Sequence, residues 1–182
     1  MTFLKHASIT LLAVGGIGVC TAAWVIAGGH FDVSVSAKLP KPIHDLVHLT
    51  RVNAVKREVR DLEARPADLD DRSRLLQAVG LFEADCSGCH QPPEQAPPAL
   101  AGRLNPPPAD LTEAAGKRSL EELFWVTKHG IRMSAMPAWG GSRSDEELWA
   151  IATLIQRFPE MSGARYRALV TAAHATTAIK QK

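Results

Sequence analysis

The residues with the clearest chemistry are Cys86, Cys89 and His90, which lie in the segment Cys86-Ser87-Gly88-Cys89-His90. This C-x-x-C-H pattern is typical of covalent haem attachment. On one helical turn the two thiols can reach the two vinyl groups of a porphyrin and form thioethers, while the next residue directs its imidazole at the iron. The pattern occurs once in the chain. It therefore predicts one covalently attached haem c, with His90 as an axial ligand of the iron.

Closely spaced cysteines also occur in redox pairs and in zinc sites, and such a motif can arise by chance. A dithiol redox pair uses C-x-x-C near a βαβ pattern, which this sequence lacks, and needs no adjoining histidine. A structural zinc site needs four ligands, and no second pair follows at a fitting distance. The third cysteine, Cys20, lies in an apolar stretch, so the cysteines do not form a disulfide framework. Haem attachment is the interpretation that the motif favours.

The second axial ligand is expected at Met136, which directly precedes Pro137. A proline fixes its own φ and biases the preceding residue away from helix, so Met136 can present its sulfur from a stiff loop. Met133 is the competing methionine, but it has no adjoining proline and is expected to pack in the core. Histidine and methionine ligation raises a haem's reduction potential and fills both axial positions. The ligand set therefore predicts an electron carrier without a substrate site.

The elements that position these residues begin with an apolar segment. Residues 7–29 carry no charge and, as a helix, are long enough to cross a bilayer. Residues 1–6 include Lys5, which predicts a cytoplasmic N-terminus, a transmembrane anchor at 7–29 and export of the remaining chain. The alternative is a signal-like segment, with cleavage possible after Ala23. We expect the protein to be located at the bacterial cytoplasmic membrane, with the haem domain on the periplasmic side.

A juxtamembrane connector is expected over residues 30–72, with an amphipathic helix at 43–63 because valines recur there at helical spacing. The polar face of this helix is expected to be solvated, although the segment 38–66, net charge +3, can also lie on lipid or on a partner. Residues 73–160, net charge −3, are expected to form the haem domain, and residues 161–182, net charge +4, a short helix that frays into a solvated basic tail. The whole chain has 182 residues and a net charge of only +2, which gives no reason to expect nucleic acid as a partner.

Two stretches, from Cys86 to His90 and from Gly130 to Trp139, together resemble class I mono-haem cytochrome c of the membrane-anchored bacterial type. The resemblance covers residues 73–160. It implies an all-α fold, in which a small class I cytochrome c haem domain follows one N-terminal transmembrane helix and a helical connector. The haem would lie between a helix that bears the attachment motif and a crossing C-terminal helix.

Helices are expected at 72–85, 119–129 and 144–158, and the first and the last of them match the helices that the resemblance implies. Gly80 and Phe82 resemble the family's helix-crossing residues, and Trp149 is expected to pack on Phe82. Gly130 is expected to end the second of these helices as a C-cap.

The resemblance also implies a set of haem-pocket residues. The carbonyl of Pro98, or else of Pro97, is expected to accept a hydrogen bond from the imidazole of the haem-ligating histidine. Arg103 and Trp139 are expected to bind the haem propionates, although Arg103 can equally be solvated and Trp139 can simply close the pocket. Trp125 is expected to pack against the haem.

These expectations describe an electron-transfer protein and not an enzyme. Its function would be to carry single electrons between respiratory-chain or dehydrogenase partners, with a redox protein as donor and another as acceptor. One alternative is an integral haem c subunit of a larger dehydrogenase or oxidase complex in the membrane. A second is a haem sensor or peroxidase-like protein with a displaceable distal ligand, which Met136 followed by Pro137 disfavours.

Overall fold

The computed structural model describes residues 2–62 and 71–180, with side chains for 5–62 and 71–176. The described residues form helices and connecting loops without a strand, so the predicted all-α fold is confirmed for this part of the chain. They divide into two compact units, Met1–Leu39 and Pro40–Lys182. Residues 63–70 of the expected connector, together with Met1 and the last two residues of the expected tail, lie outside the described residues.

The first unit contains helix α1 (Thr2–Ala27). Its segment Lys5–Ala27 is long and apolar enough to cross a membrane, and none of this segment is buried in the structure. The hydroxyls of Thr10 and Thr21 donate to the carbonyls of His6 and Ile17, each at 2.9 Å. These polar groups are therefore satisfied within the helix, as a lipid environment requires. The same features are found in membrane anchors and in signal sequences.

The second unit contains six α-helices and three short 3₁₀ turns among its described residues. The helices are α2 (Lys41–Glu58), α3 (Arg72–Asp85), α4 (Leu111–Ala115), α5 (Leu120–His129), α6 (Asp145–Gln156) and α7 (Gly163–Lys180). The 3₁₀ turns are Val59–Asp61, Ala101–Arg103 and Phe158–Glu160.

Local sequence signals explain where the helices begin. The Asp71 side chain accepts a hydrogen bond from the Ser73 backbone N–H and caps α3. Ser119 and Ser144 start α5 and α6 with reciprocal capping boxes, in which each serine pairs with the glutamate three residues later. The helix expected at 72–85 is confirmed, as are those expected near 119–129 and 144–158, with ends that differ by one or two residues.

The core lies where α3 crosses α6 and α7, and where α5 packs on α6. Phe82 of α3 is fully buried, and its ring makes edge-to-face contacts with Phe158 at 5.2 Å and Tyr166 at 6.2 Å between centroids. Trp149 of α6 stacks instead on Phe124 of α5 at 4.0 Å. The expected packing of Trp149 on Phe82 is therefore wrong, because α5 supplies the ring that faces Trp149.

Gly80 does not mark a close helix crossing. A Cβ built there would meet no atom within 4 Å, so neither α6 nor α7 approaches the backbone at this point. The buried face of α3 at the crossing is formed by Ala78, Val79 and Phe82, each with no exposed surface.

The segment after residue 160 is not the solvated tail that its basic residues suggested. Helix α7 packs along α3, and its Tyr166 is fully buried, with Ala173 only 5% exposed. The Tyr166 hydroxyl donates to Glu83 Oε1 of α3 at 2.6 Å. The basic side chains Arg165 and Arg167 lie on the exposed side of this helix, so the charge pattern described its outer face and not its inner one.

Candidate functional site

A cavity of about 620 Å³ opens in the second unit. It brings together Cys86, Cys89, His90 and Met136, although Met136 is distant from the others in sequence. Helices α5 and α6 add apolar side chains to the walls, among them Leu123 and Ile151. The volume lies within the usual range for a small-molecule or cofactor site.

The attachment motif continues α3 by one more turn. The backbone N–H of Cys86 donates to the Phe82 carbonyl at 2.9 Å. The N–H groups of Cys89 and His90 then donate to the Cys86 carbonyl at 3.0 and 2.8 Å. This helical continuation places the two thiols and the imidazole on the side that lines the cavity, as the spacing predicted.

The environment of Cys86 is unlike that of a reactive dithiol. Its side chain is buried, and this burial, together with the nearby charge of Asp85, raises the pKa of the thiol to about 12. Reactive C-x-x-C pairs instead have a thiol whose pKa is lowered by positive charge or a helix N-terminus. The structure therefore disfavours a redox pair at this position. The described residues also contain no group of three or more metal-binding side chains that would support a zinc site.

The imidazole of His90 is held by a main-chain carbonyl. Its Nδ1 lies 2.9 Å from the oxygen of Ala109. Donation from Nδ1 leaves Nε2 as the nitrogen available to a metal. Burial lowers the pKa of His90, against the opposing effect of the Ala109 bond, and so favours the neutral ring that ligates metals.

The expected acceptor for His90, the carbonyl of Pro98, is wrong. That oxygen accepts the Ala101 N–H at 2.9 Å at the 3₁₀ turn Ala101–Arg103, and neither Pro97 nor Pro98 lines the cavity. The proline-rich stretch that does line the cavity lies later, at Pro106, Pro107 and Pro108. Since this stretch leads directly into Ala109, rigid proline-rich backbone still supplies the acceptor.

A closed loop holds Met136 at the cavity. Its N–H donates to Ser134 Oγ at 3.1 Å, and that hydroxyl donates to the Ile131 carbonyl at 2.7 Å. The Ile131 N–H in turn donates to the Met136 carbonyl at 3.3 Å. Gly130 is required at the start of this loop because its φ is +67° and a Cβ would lie 2.8 Å from the Met136 carbonyl oxygen.

Met133, in contrast, is 83% exposed, with a φ of +60°. The expectation that it packs in the core is wrong, because the left-handed turn at this residue directs its side chain to solvent. It does not line the cavity. Met136 is thus the methionine that shares the cavity with His90 among the described residues.

The other expected pocket residues differ in whether they line the cavity. Trp139 lines the cavity, and its backbone N–H donates to the Thr127 carbonyl at 3.2 Å. Trp125 does not line it, since its ring packs against His129 at 4.8 Å between centroids. Arg103 lies outside the cavity and is exposed, because the turn Ala101–Arg103 carries it away. The expectation for Trp125 is therefore wrong, and of the two alternatives for Arg103 the structure shows the exposed side chain.

Sequence reasoning missed two features of the site. Helix α2 contributes Arg51, Val52 and Val55 to the cavity wall. The valine spacing predicted an apolar face on this helix but did not indicate what it covers. The other missed feature is the paired contact of Arg143 with Asp85, at 2.7 Å from Nε and 3.0 Å from Nη2, which ties the start of α6 to the end of α3 beside the attachment turn.

The residues present fit a haem c. Two thiols lie on one helical turn, the imidazole of His90 is oriented by its hydrogen bond to the Ala109 carbonyl, and the loop braced by Ser134 supplies the thioether of Met136. These donors share a mainly apolar cavity, which is the donor set and surrounding that haem ligation uses.

Residues 74–155, just under half of the chain, match a family described as cytochrome c oxidase, cbb3-type, subunit III. No curated protein matches the chain. The matched segment runs from α3 into α6 and includes both the attachment turn and the Met136 loop. The chain therefore contains a domain of the c-type cytochrome family, whose members bind haem and transfer electrons.

Proposed function

We propose that this protein is a membrane-anchored c-type cytochrome that carries single electrons between redox proteins on the periplasmic side of a bacterial cytoplasmic membrane. The observation that carries the proposal is the meeting of Cys86, Cys89, His90 and Met136 at one cavity. With both axial positions filled by side chains, the site offers no open coordination position to a substrate. A carrier role follows, with catalysis left to partner proteins.

Each residue has a defined role in this proposal. The thiols of Cys86 and Cys89 would hold the haem through two thioethers, each formed by addition of a thiol S–H across one vinyl group. His90 and Met136 would ligate the iron. When bound, the haem supplies an iron that alternates between the ferric and ferrous states.

The chain's contribution is to keep the ligands in place during this change. The Ala109 carbonyl fixes the His90 ring, and the Ser134 hydroxyl braces the Met136 loop. The apolar walls limit access of water. A coordination shell that does not rearrange allows fast single-electron exchange, because little reorganisation accompanies each transfer.

Replacement of Met136 by alanine tests the ligand set. We expect Met136→Ala to abolish the weak far-red iron–sulfur absorption band of the oxidised protein and to lower its reduction potential. Met133→Ala is the matched control, because it removes an exposed methionine of the same loop. Survival of the band in Met136→Ala, or its loss in Met133→Ala, would contradict the assignment.

The proposed anchor is α1. Its length and apolar character support a membrane span, and Lys5 at its start favours a cytoplasmic N-terminus. N-terminal analysis of the haem-loaded protein from membranes distinguishes an intact anchor from a chain cleaved after Ala23.

A second candidate function is that of an integral haem subunit in a larger oxidase or dehydrogenase complex. The description of the matching family, a subunit of a cytochrome c oxidase, favours it. Purification in mild detergent separates the two candidates, because a free carrier runs alone whereas a subunit co-purifies with its complex in fixed ratio.

A further inference from the structure

Helix α2 lies outside the family-matched segment, yet it belongs to the cavity. Val55 is 5% exposed and Val52 is half-buried, and both line the cavity beside side chains of α5. α2 also packs directly on α5. The helix therefore does more than link the anchor to the haem domain, since it forms one side of the site.

The charges that line the cavity are mostly paired within the chain. Lys117 pairs with Glu113 one helical turn away, and Arg118 Nη1 lies 3.4 Å from Glu122 Oε1. The cations of the α4–α5 region thus already have carboxylate partners.

The acidic side chains of the cavity are engaged in a similar way. Asp85 pairs with Arg143 at 2.7 Å. Asp110 accepts the N–H groups of Thr112 and Glu113 as the cap of α4. Among the described residues, neither carboxylate forms an ion pair with a cation of α2.

Two cations of α2 differ from the rest. Arg51 and Lys56 both line the cavity, and within the described residues neither forms an ion pair with a carboxylate. The guanidinium of Arg51 contacts the imidazole of His48, with Nη2 3.0 Å from Nδ1. A haem carries two propionate groups, so two cations without carboxylate partners match the two carboxylates that it brings.

We propose that α2 is a wall of the haem site and that Arg51 and Lys56 bind the haem propionates. This inference rests on the proposed function. It also replaces the expected role of Arg103, which lies outside the cavity. A half-buried guanidinium is well suited to a carboxylate because its fork of donors matches the two oxygens. Positive charge near the iron also disfavours the ferric state, so both residues raise the reduction potential.

The test uses the full-length haem protein in detergent and measures its reduction potential by spectroelectrochemistry. Arg51→Gln and Lys56→Gln are each expected to lower the potential, and the double variant to lower it further. Arg51→Lys is expected to retain most of the wild-type value because the charge remains. Arg57→Gln is the matched control, since Arg57 is exposed on the same helix and does not line the cavity.

A double variant with the potential of the wild type and of Arg57→Gln would overturn the inference. A fall in Arg51→Lys as large as that in Arg51→Gln would do the same, because it would indicate a role in packing and not in charge. The proposed function fails separately, if the wild-type chain carries no covalent haem or shows no far-red band.

A second measurement needs no substitution. Hydrogen exchange in the wild-type haem protein is expected to show the amides of the second half of α2, residues 51–58, protected to a degree similar to those of α5. Rapid exchange of these amides would show that α2 does not stay on the cavity and would also overturn the inference.

Discussion

At the scale of single residues, the site depends on backbone as much as on ligand side chains. Gly130 is the clearest case, because it has a positive φ and also lies against the Met136–Pro137 backbone. Both conditions exclude a side chain, so this glycine determines the path by which Met136 reaches the cavity.

Gly130→Ala is therefore expected to displace the Met136 loop. The left-handed conformation alone costs about 1–3 kcal/mol for a residue with a Cβ, and the contact at 2.8 Å adds a clash with main chain that cannot rotate away. We expect a weakened or absent far-red band and a lower midpoint of thermal unfolding. Gly141→Ala is the control, since a Cβ there meets no atom within 4 Å. Equal behaviour of the two variants would contradict this role of Gly130.

The attachment residues and Met136 could be predicted because short sequence patterns specify them. The acceptor for His90 could not, because Ala109 has no distinguishing side chain and the bond is made by its carbonyl. The resemblance favours Pro98, or else Pro97, but no side chain marks which carbonyl of the loop faces the imidazole. Only the path of the loop, a tertiary property, decides which carbonyl faces the imidazole. The choice between a propionate contact and a solvated side chain for Arg103 could not be made for the same reason, since a basic residue in a loop carries no local sign of its direction.

At the scale of elements, helix bounds follow closely from caps, whereas contacts between helices do not. Ser119 and Ser144 each precede a glutamate by three residues, and both form capping boxes at the starts of α5 and α6. The length and the buried face of α7 were missed, because Arg165 and Arg167 dominate its composition and only a short helix was expected there. Its inward face depends on small residues and on Tyr166, the single tyrosine of the chain.

Tyr166 gives the packing of α7 on α3 a pH dependence. Burial and the hydrogen bond to Glu83 raise the pKa of Tyr166 above the ordinary value of 10.0. A group whose pKa is raised on folding stabilises the fold below its unfolded pKa, and this contribution is lost as the pH rises. We expect the free energy of unfolding to fall above about pH 10, with tyrosinate absorbance appearing only as the chain unfolds.

Tyr166→Phe is expected to lower the free energy of unfolding at neutral pH by about 1–2 kcal/mol, because the hydrogen bond is lost and Glu83 is left without this partner. Its stability should then fall less steeply in alkali than that of the wild type. Urea unfolding at neutral and alkaline pH measures both effects. Tyrosinate absorbance from a still-folded wild-type protein near pH 10 would argue against the buried hydrogen bond.

At the scale of the whole molecule, the family-matched segment is smaller than the unit that encloses the cavity. The compact unit extends from Pro40 to Lys182, whereas the match covers residues 74–155. α2 before the match and α7 after it both bury side chains against the domain. The near-zero net charge of the chain likewise conceals an acidic domain, net charge −3 over residues 73–160, that is followed by a basic C-terminal segment, net charge +4 over residues 161–182.

Two truncated chains, each exported with a cleavable signal, test how far the haem-binding domain extends beyond the family-matched segment. The chain 40–182 is expected to fold, attach haem and keep the reduction potential of the full protein. The chain 71–182 lacks α2, so it exposes apolar cavity wall and loses roughly 2 kcal/mol for Val55 alone. Thermal unfolding and spectroelectrochemistry compare the two. Equal stability and equal potential would limit the working domain to the shorter chain.

The hydrogen bond between His90 and the main-chain carbonyl of residue 109 determines which mutations can disturb the orientation of the imidazole. Every amino acid has a carbonyl group, so no single replacement of Ala109 removes the acceptor. The orientation of the ring is instead exposed to mutation at a distance, in Pro106, Pro107 and Pro108, which stiffen the approach to that carbonyl. Selection on this bond therefore acts on residues that do not form it.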